Sequence, residues 1–168
     1  MTVMLAPTPT YDEIVFPDWV FPERLPPAET LSILHPILGR HKSRPIGVYL
    51  AARYDHLSLM QQYKHRLEQG GFVVTSRWVN GKHEAQEGWK YENSALCALE
   101  DYEDIHTCDL VVSFTEQPTA KSTRGGRHVE LGIALSLNKR CIVIGPRENV
   151  FHYLPQIVRY ETWEDFYG

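Results

Sequence analysis

The run Ser122-Thr-Arg-Gly-Gly-Arg-His-Val-Glu130-Leu-Gly gathers more chemistry than any other part of the chain. It lies between an apolar run at 109–114 and an amphipathic run at 129–137, the pattern of a strand, a loop and a helix. Gly125 and Gly126 let a backbone approach a ligand closely, and the helix that follows opens with unpaired N–H groups. Arg124, Arg127 and His128 add positive charge there, and Ser122 and Thr123 add hydroxyls. Glu130 then places a carboxylate in the first turns of the helix. An anion cradle with an acid beside it implies chemistry on a phosphorylated small molecule.

These residues need a scaffold, and the pattern from Pro45 onward supplies one. Continuous apolar strands are expected at 46–51, at 72–75 with a possible extension to Val79, at 110–114 and at 141–145, with a short fifth at 157–158. Helices are expected at 57–69, 91–107 and 126–137, with a closing helix at 162–167. On the 91–107 helix, Leu96, Leu99 and Ile105 are expected to point inward. Strands that are apolar throughout and alternate with helices imply an α/β domain of flavodoxin-like or Rossmann-like type. It has three layers, with a parallel sheet of four or five strands and right-handed crossovers. Ligands bind such sheets beyond the C-terminal strand ends, where 49–53, 113–127 and 145–152 meet.

Residues 1–44 read differently. Seven prolines, from Pro7 to Pro36, are interleaved with Phe16, Trp19 and Phe21. Proline this dense excludes long helices and central strands, while the aromatic residues argue against free disorder. The expected division is a Pro/aromatic-rich arm at 1–44 and a catalytic domain at 45–168. The arm packs on the domain or a neighbouring subunit, or else forms a partly ordered tail.

The chain has 168 residues and a net charge of −4. That length suits one core, and the charge argues against a general nucleic-acid binder. Cys97, Cys108 and Cys141 lack metal-ligand spacing and read as reduced thiols of a cytoplasmic protein. No metal or cofactor is expected. No apolar stretch reaches the roughly 18 residues of a membrane span, and residues 1–10 lack the pattern of a secretory signal.

Several short motifs together resemble the nucleoside 2-deoxyribosyltransferase superfamily. Val48-Tyr-Leu-Ala-Ala52 resembles its Tyr-hydrophobic-Ala/Cys-Gly opening. Asp101 and Asp109 match its spaced aspartates. Val129-Glu-Leu-Gly-Ile-Ala-Leu135 is similar to its catalytic helix, and Asn138-Lys-Arg-Cys-Ile-Val-Ile144 to the strand that follows. The likeness runs from about Ile46 to Pro155 and leaves the arm unexplained. It implies cleavage of the N-glycosidic bond between a base and its sugar, by hydrolysis of (deoxy)nucleoside 5′-monophosphates, deoxyribonucleotides first among them, or by base exchange.

By that resemblance Glu130 is the nucleophile at the anomeric carbon and forms a covalent glycosyl-enzyme. Asp101 supplies the proton to the leaving base, with Asp104 as alternate, and Tyr49 hydrogen-bonds Glu130. Nucleoside-specific members carry an acid shortly before the glutamate, which binds the sugar 5′-hydroxyl. Here that stretch is Ser122-Thr-Arg-Gly-Gly-Arg, which suits a 5′-phosphate. Asn149 and His152 are implied to complete the phosphate or sugar site, in dimers or larger homo-oligomers with shared active sites. Each residue also has a plainer reading. Glu130 can be an acid interacting with the helix dipole, Asp101 part of a solvated acidic face, Tyr49 a core residue and His128 a packing residue. Trp78 and Trp89 suit either base stacking or the core. A non-catalytic nucleotide-binding module would use the same loop.

Overall fold

The computed structural model of the chain describes residues 44–81, 91–117 and 125–168, with backbone only at 91–93. All of the expected arm but its last residue lies outside this range, as do most of the 80–88 loop, Trp89 and Ser122–Arg124. Five parallel strands form one sheet: β1 (Gly47–Ala51), β2 (Val73–Val74), β3 (Leu110–Phe114), β4 (Arg140–Ile144) and β5 (Ile157–Tyr160). Their order is β2-β1-β3-β4-β5, the flavodoxin-like arrangement. Among the described residues four helices flank the sheet: α1 (Leu57–Gln69), α2 (Tyr91–Thr107), α3 (Gly126–Ser136) and α4 (Trp163–Tyr167). Every residue of β1 and β3 is buried, as apolar strands covered on both faces require.

The direction of each crossover decides which face a helix covers. The chain steps from β1 outward to β2 through α1. It then crosses back through α2 to β3 and continues the same way through α3 to β4. Right-handed crossovers therefore put α1 on one face and α2 with α3 on the other. α2 and α3 pack on each other, and both pack on β1. α4 joins the α1 face, where Trp163 stacks on Tyr63 at a ring separation of 4.1 Å.

Strand alternation then sorts the side chains. Phe114 lies 5.5 Å from Tyr63 and so faces α1. Ser113 must face the opposite way. Tyr49 pairs with Val111 and Ala51 with Ser113, so Tyr49 and Ser113 share the face under α2 and α3.

Two expectations are corrected. β2 does not extend to Val79; a 3-10 turn spans Arg77–Asn80 instead. Side chains there take over the role of the ladder: the Leu50 amide donates to Ser76 Oγ at 2.6 Å, and Trp78 Nε1 donates to the Leu50 carbonyl at 2.8 Å. This also makes Trp78 an anchor of the β1 end, buried rather than offered to a base. On α2, Leu96 and Leu99 are exposed, and only Ile105 of the expected trio points inward. The inward stripe is Cys97, Asp101, Asp104, Ile105 and Cys108, so the helix turns two acids toward the sheet. Asp109 behaves as a strand-entry cap, accepting from the Gly47 amide at 2.9 Å. Among the described residues no helix is long and apolar enough to cross a membrane.

Candidate active site

Three elements converge on one group. β1 supplies Tyr49, fully buried. α2 supplies Asp101 from its inward stripe, and α3 supplies Glu130 from its second turn. Burial, with the negative charge of Asp101 behind it, pushes the Glu130 carboxyl up to about 8, against lowering by the Tyr49 hydroxyl and the Arg127 charge. Burial, followed by the charges of Glu130 and Asp101, raises the Tyr49 phenol well above 10. At neutral pH Glu130 therefore holds a proton and Tyr49 keeps its own. The Tyr49 hydroxyl is near enough to both carboxyls to act on each, yet neither it nor Glu130 Oε2 makes a hydrogen bond of good geometry. Contacts of this kind commonly tighten only around a substrate.

Beside this trio, at the start of α3, is a buried polar network. Arg127 is 3% exposed. Its Nη2 donates to both oxygens of Glu148, at 2.6 and 2.9 Å. His128 Nε2 lies 3.1 Å from Glu148 Oε2. Burial, then the Arg127 charge, lowers the His128 pKa, so the ring is a neutral donor at Nε2 and accepts at Nδ1 from Asn149 Nδ2, 3.4 Å away. Asn149 Nδ2 also lies 3.2 Å from His152 Nε2, and Asn149 Oδ1 caps the turn at Phe151. His152 is buried, and its pKa too is lowered, first by burial and then by His128. Glu148 further accepts from the Glu116 amide at 3.1 Å. Glu116 itself pairs with Arg53 and His56, each at 3.1 Å, along the rim of the sheet.

The residues named from the sequence thus fall into groups. Glu130, Asp101 and Tyr49 meet. Arg127, His128, Asn149 and His152 meet one another at the mouth of the same site, through Glu148. Asp104 does not join either set. It is turned to the 3-10 turn, where its carboxylate accepts from the Arg77 amide at 2.8 Å and from Arg77 Nε at 2.7 Å. That commitment removes it as the alternate acid. Gly125 and Gly126 open α3 and are exposed. A Cβ on either would meet nothing within 4 Å, and neither has a positive φ, so internal packing does not call for glycine there. Ser122, Thr123 and Arg124 lie outside the described residues. Among the described residues no group of His, Cys, Asp or Glu could hold a metal ion.

Three site residues were not read from the sequence. Ser113 has a buried hydroxyl without a hydrogen-bond partner on the Tyr49 face of β3. Glu148 and Glu116 follow the C-terminal ends of β4 and β3, the region where ligands bind such sheets. Position beyond the C-terminal strand ends is the sequence signal for both.

The fold and the convergent carboxyls define an α/β protein with its acid chemistry at the C-terminal end of a parallel sheet. No family model and no curated protein matches the sequence. Solved structures do match. A 2-deoxyribosyltransferase from the psychrotolerant bacterium Bacillus psychrosaccharolyticus superposes with a TM-score of 0.55 at 21% identity, covering 71% of this chain and 88% of its own. A CMP N-glycosidase from Clostridium botulinum superposes with a TM-score of 0.46 at 20% identity, covering 71% and 93%. The chain has the fold of the 2-deoxyribosyltransferase.

Proposed function

We propose that this protein is an enzyme of the nucleoside 2-deoxyribosyltransferase superfamily that cleaves the N-glycosidic bond of nucleoside 5′-monophosphates. The observation that carries the reading is the meeting of Glu130, Asp101 and Tyr49, from three separate elements, in one buried group. Glu130 passes its proton to Asp101 as substrate binds and becomes the nucleophile. A Glu130 oxygen bonds to the anomeric carbon as the bond from that carbon to the base nitrogen breaks. Asp101 gives its proton to the departing nitrogen, and the Tyr49 hydroxyl steadies the Glu130 carboxylate. Water then attacks the same carbon, loses a proton to Asp101 and releases Glu130. The products are free base and sugar 5-phosphate. A second base attacking in place of water would give transfer.

Several features support the phosphate part of the reading. Arg127, at the start of α3, has Nε and Nη1 buried with no protein partner, and helix starts favour anions. Assembly belongs to the same proposal. Leu96, Leu99 and Tyr102 expose an apolar stripe on α2, and Phe151 and Tyr153 flank the buried His152. A homodimer covering these faces should appear at twice the chain mass in light scattering, and Leu96→Asp with Leu99→Asp should return it to monomer. The decisive experiment incubates the protein with ribo- and deoxyribonucleoside monophosphates and follows released base. Full turnover by Glu130→Ala would overturn the assignment, and a new nucleoside formed on adding a second base would make it a transferase.

A further inference from the structure

Glu148 is an anion in the position of an anion. Arg127 Nη2, His128 Nε2 and the Glu116 amide converge on its two oxygens at 2.6 to 3.1 Å. A guanidinium, an imidazole N–H and a backbone amide beside a helix start form a donor set that suits phosphate as well as carboxylate. The donors do not depend on Glu148 alone for their placement. Asn149 holds the other nitrogen of His128, and Thr115, next to Glu116, donates its amide to the Ile144 carbonyl at 2.8 Å. The loop that carries Glu148 is tied down separately. Arg159 Nε donates to the Gly145 carbonyl at 2.6 Å, and Arg147 Nε donates to the His152 carbonyl at 3.1 Å. The carboxylate can therefore swing out without the loop unfolding. Arg127 spends only one of its three nitrogens on Glu148, and its other two are buried without a protein partner.

We infer that Glu148 is an internal competitor for the phosphate pocket, seated on Arg127 and His128 until a phosphomonoester takes its place, so that it sets the preference for phosphorylated over free nucleosides. This rests on the reading that phosphate binds at the start of α3. With Glu148 seated, the Arg127 charge is balanced inside the chain. A dianion must displace that carboxylate or bind beside it, whereas an uncharged 5′-hydroxyl faces no such competition and can donate to it. The charge of one side chain thereby tunes a choice that the loop before Glu130 was expected to make alone.

The test needs no turnover. Inorganic phosphate and ribose 5-phosphate are titrated into wild type and Glu148→Gln by calorimetry, with thermal melts alongside. The amide keeps the shape and one acceptor but drops the charge, so both probes should bind the variant about tenfold more tightly or better, a change of about 1.4 kcal/mol. Phosphate should also raise the variant's Tm more than that of wild type, since it replaces a lost counter-charge. Unchanged or weaker phosphate binding would overturn the inference and make Glu148 a residue that merely positions Arg127. Glu148→Asp keeps the charge but shortens the reach, and should give a smaller gain in the same direction. It serves as the test if Glu148→Gln does not fold. Tighter phosphate binding with no nucleotide cleaved would leave this inference standing and remove the proposed reaction. Cleavage with unaltered phosphate affinity would do the reverse.

Discussion

The face of the sheet under α1 and α4 and the face under α2 and α3 share their strands but not their chemistry. On the first, Phe114, Tyr63 and Trp163 stack, Phe166 and Tyr167 close around them, and Arg66 lies 5.5 Å from the Tyr167 ring. On the second, α2 turns Asp101 and Asp104 inward and α3 brings Glu130 and Arg127. Adjacent residues of β3 serve opposite ends, Phe114 the aromatic stack and Ser113 the polar face. Apolar burial stabilises the first face, at roughly 25 cal/mol per Å². The second face buries acids and a guanidinium, which costs stability unless each is paired. One face holds the fold, while the other keeps buried titratable groups in protonation states that water would not allow.

Glu130→Ala should lower base release about a thousandfold or more while leaving the melting temperature unchanged or higher. A matching loss of stability would make Glu130 a structural residue. Trp163→Ala should do the opposite. Removing a ring that is 2% exposed and stacked on Tyr63 should cost about 3–5 kcal/mol in urea unfolding, with activity retained by the folded fraction.

Gly145 lies between these extremes. Its φ is +112°, and a Cβ there would sit 2.7 Å from the Thr115 carbonyl oxygen. Gly145→Ala should cost about 1–3 kcal/mol and also tighten nucleotide binding, because this turn aims Glu148 at Arg127. Weakened stability with unchanged binding would separate the turn from the site. Tyr49→Phe should be milder, about a tenfold loss of kcat/KM at pH 7. Its hydroxyl lowers the Glu130 pKa, so the variant's pH profile should move to higher pH. A profile that moves downward or stays in place would place Tyr49 in the core alone.

The pH dependence of wild type sharpens the same contrast. The proton that Glu130 relays through Asp101 must be present for the base to leave, so kcat/KM should fall as pH rises through about 8. For stability the sign is the same. The folded value of about 8 exceeds the usual 4.5, so this residue's contribution is complete below pH 4.5 and is lost as pH rises toward 8. The Tm gain of Glu130→Gln over wild type should therefore be larger at pH 8 than at pH 4.5. His128 and His152 act from the other side. Their pKa values are lowered from 6.5, so the stability they contribute is lost as pH falls below that value.

Much of the architecture was legible because periodicity is a local property. The helices at 57–69 and 91–107 and the strand at 110–114 stand where the apolar spacing placed them. The rotation of α2 was not legible. Leu96 and Leu99 suggested an apolar inward face, but the inward face carries two acids, and hydrophobicity alone cannot identify an inward stripe that includes carboxyls. Nor could spacing separate Asp101 from Asp104, which stand one turn apart. Arg77, brought in from another segment, commits Asp104 and leaves Asp101 to the site.

By itself the sequence determined an α/β chain with continuous apolar strands, a glycine-rich helix start and a carboxylate in the turns that follow. Those features depend on neighbours a few residues apart. The tertiary structure alone decided that Tyr49, Asp101 and Glu130 share one buried space, and that Glu148 reaches Arg127 from beyond β4. The reason is physical. A pKa of about 8 on a glutamate, or a carboxylate seated on a guanidinium, arises from desolvation and charge at distances of a few ångströms, between residues that only the crossovers of the sheet bring together.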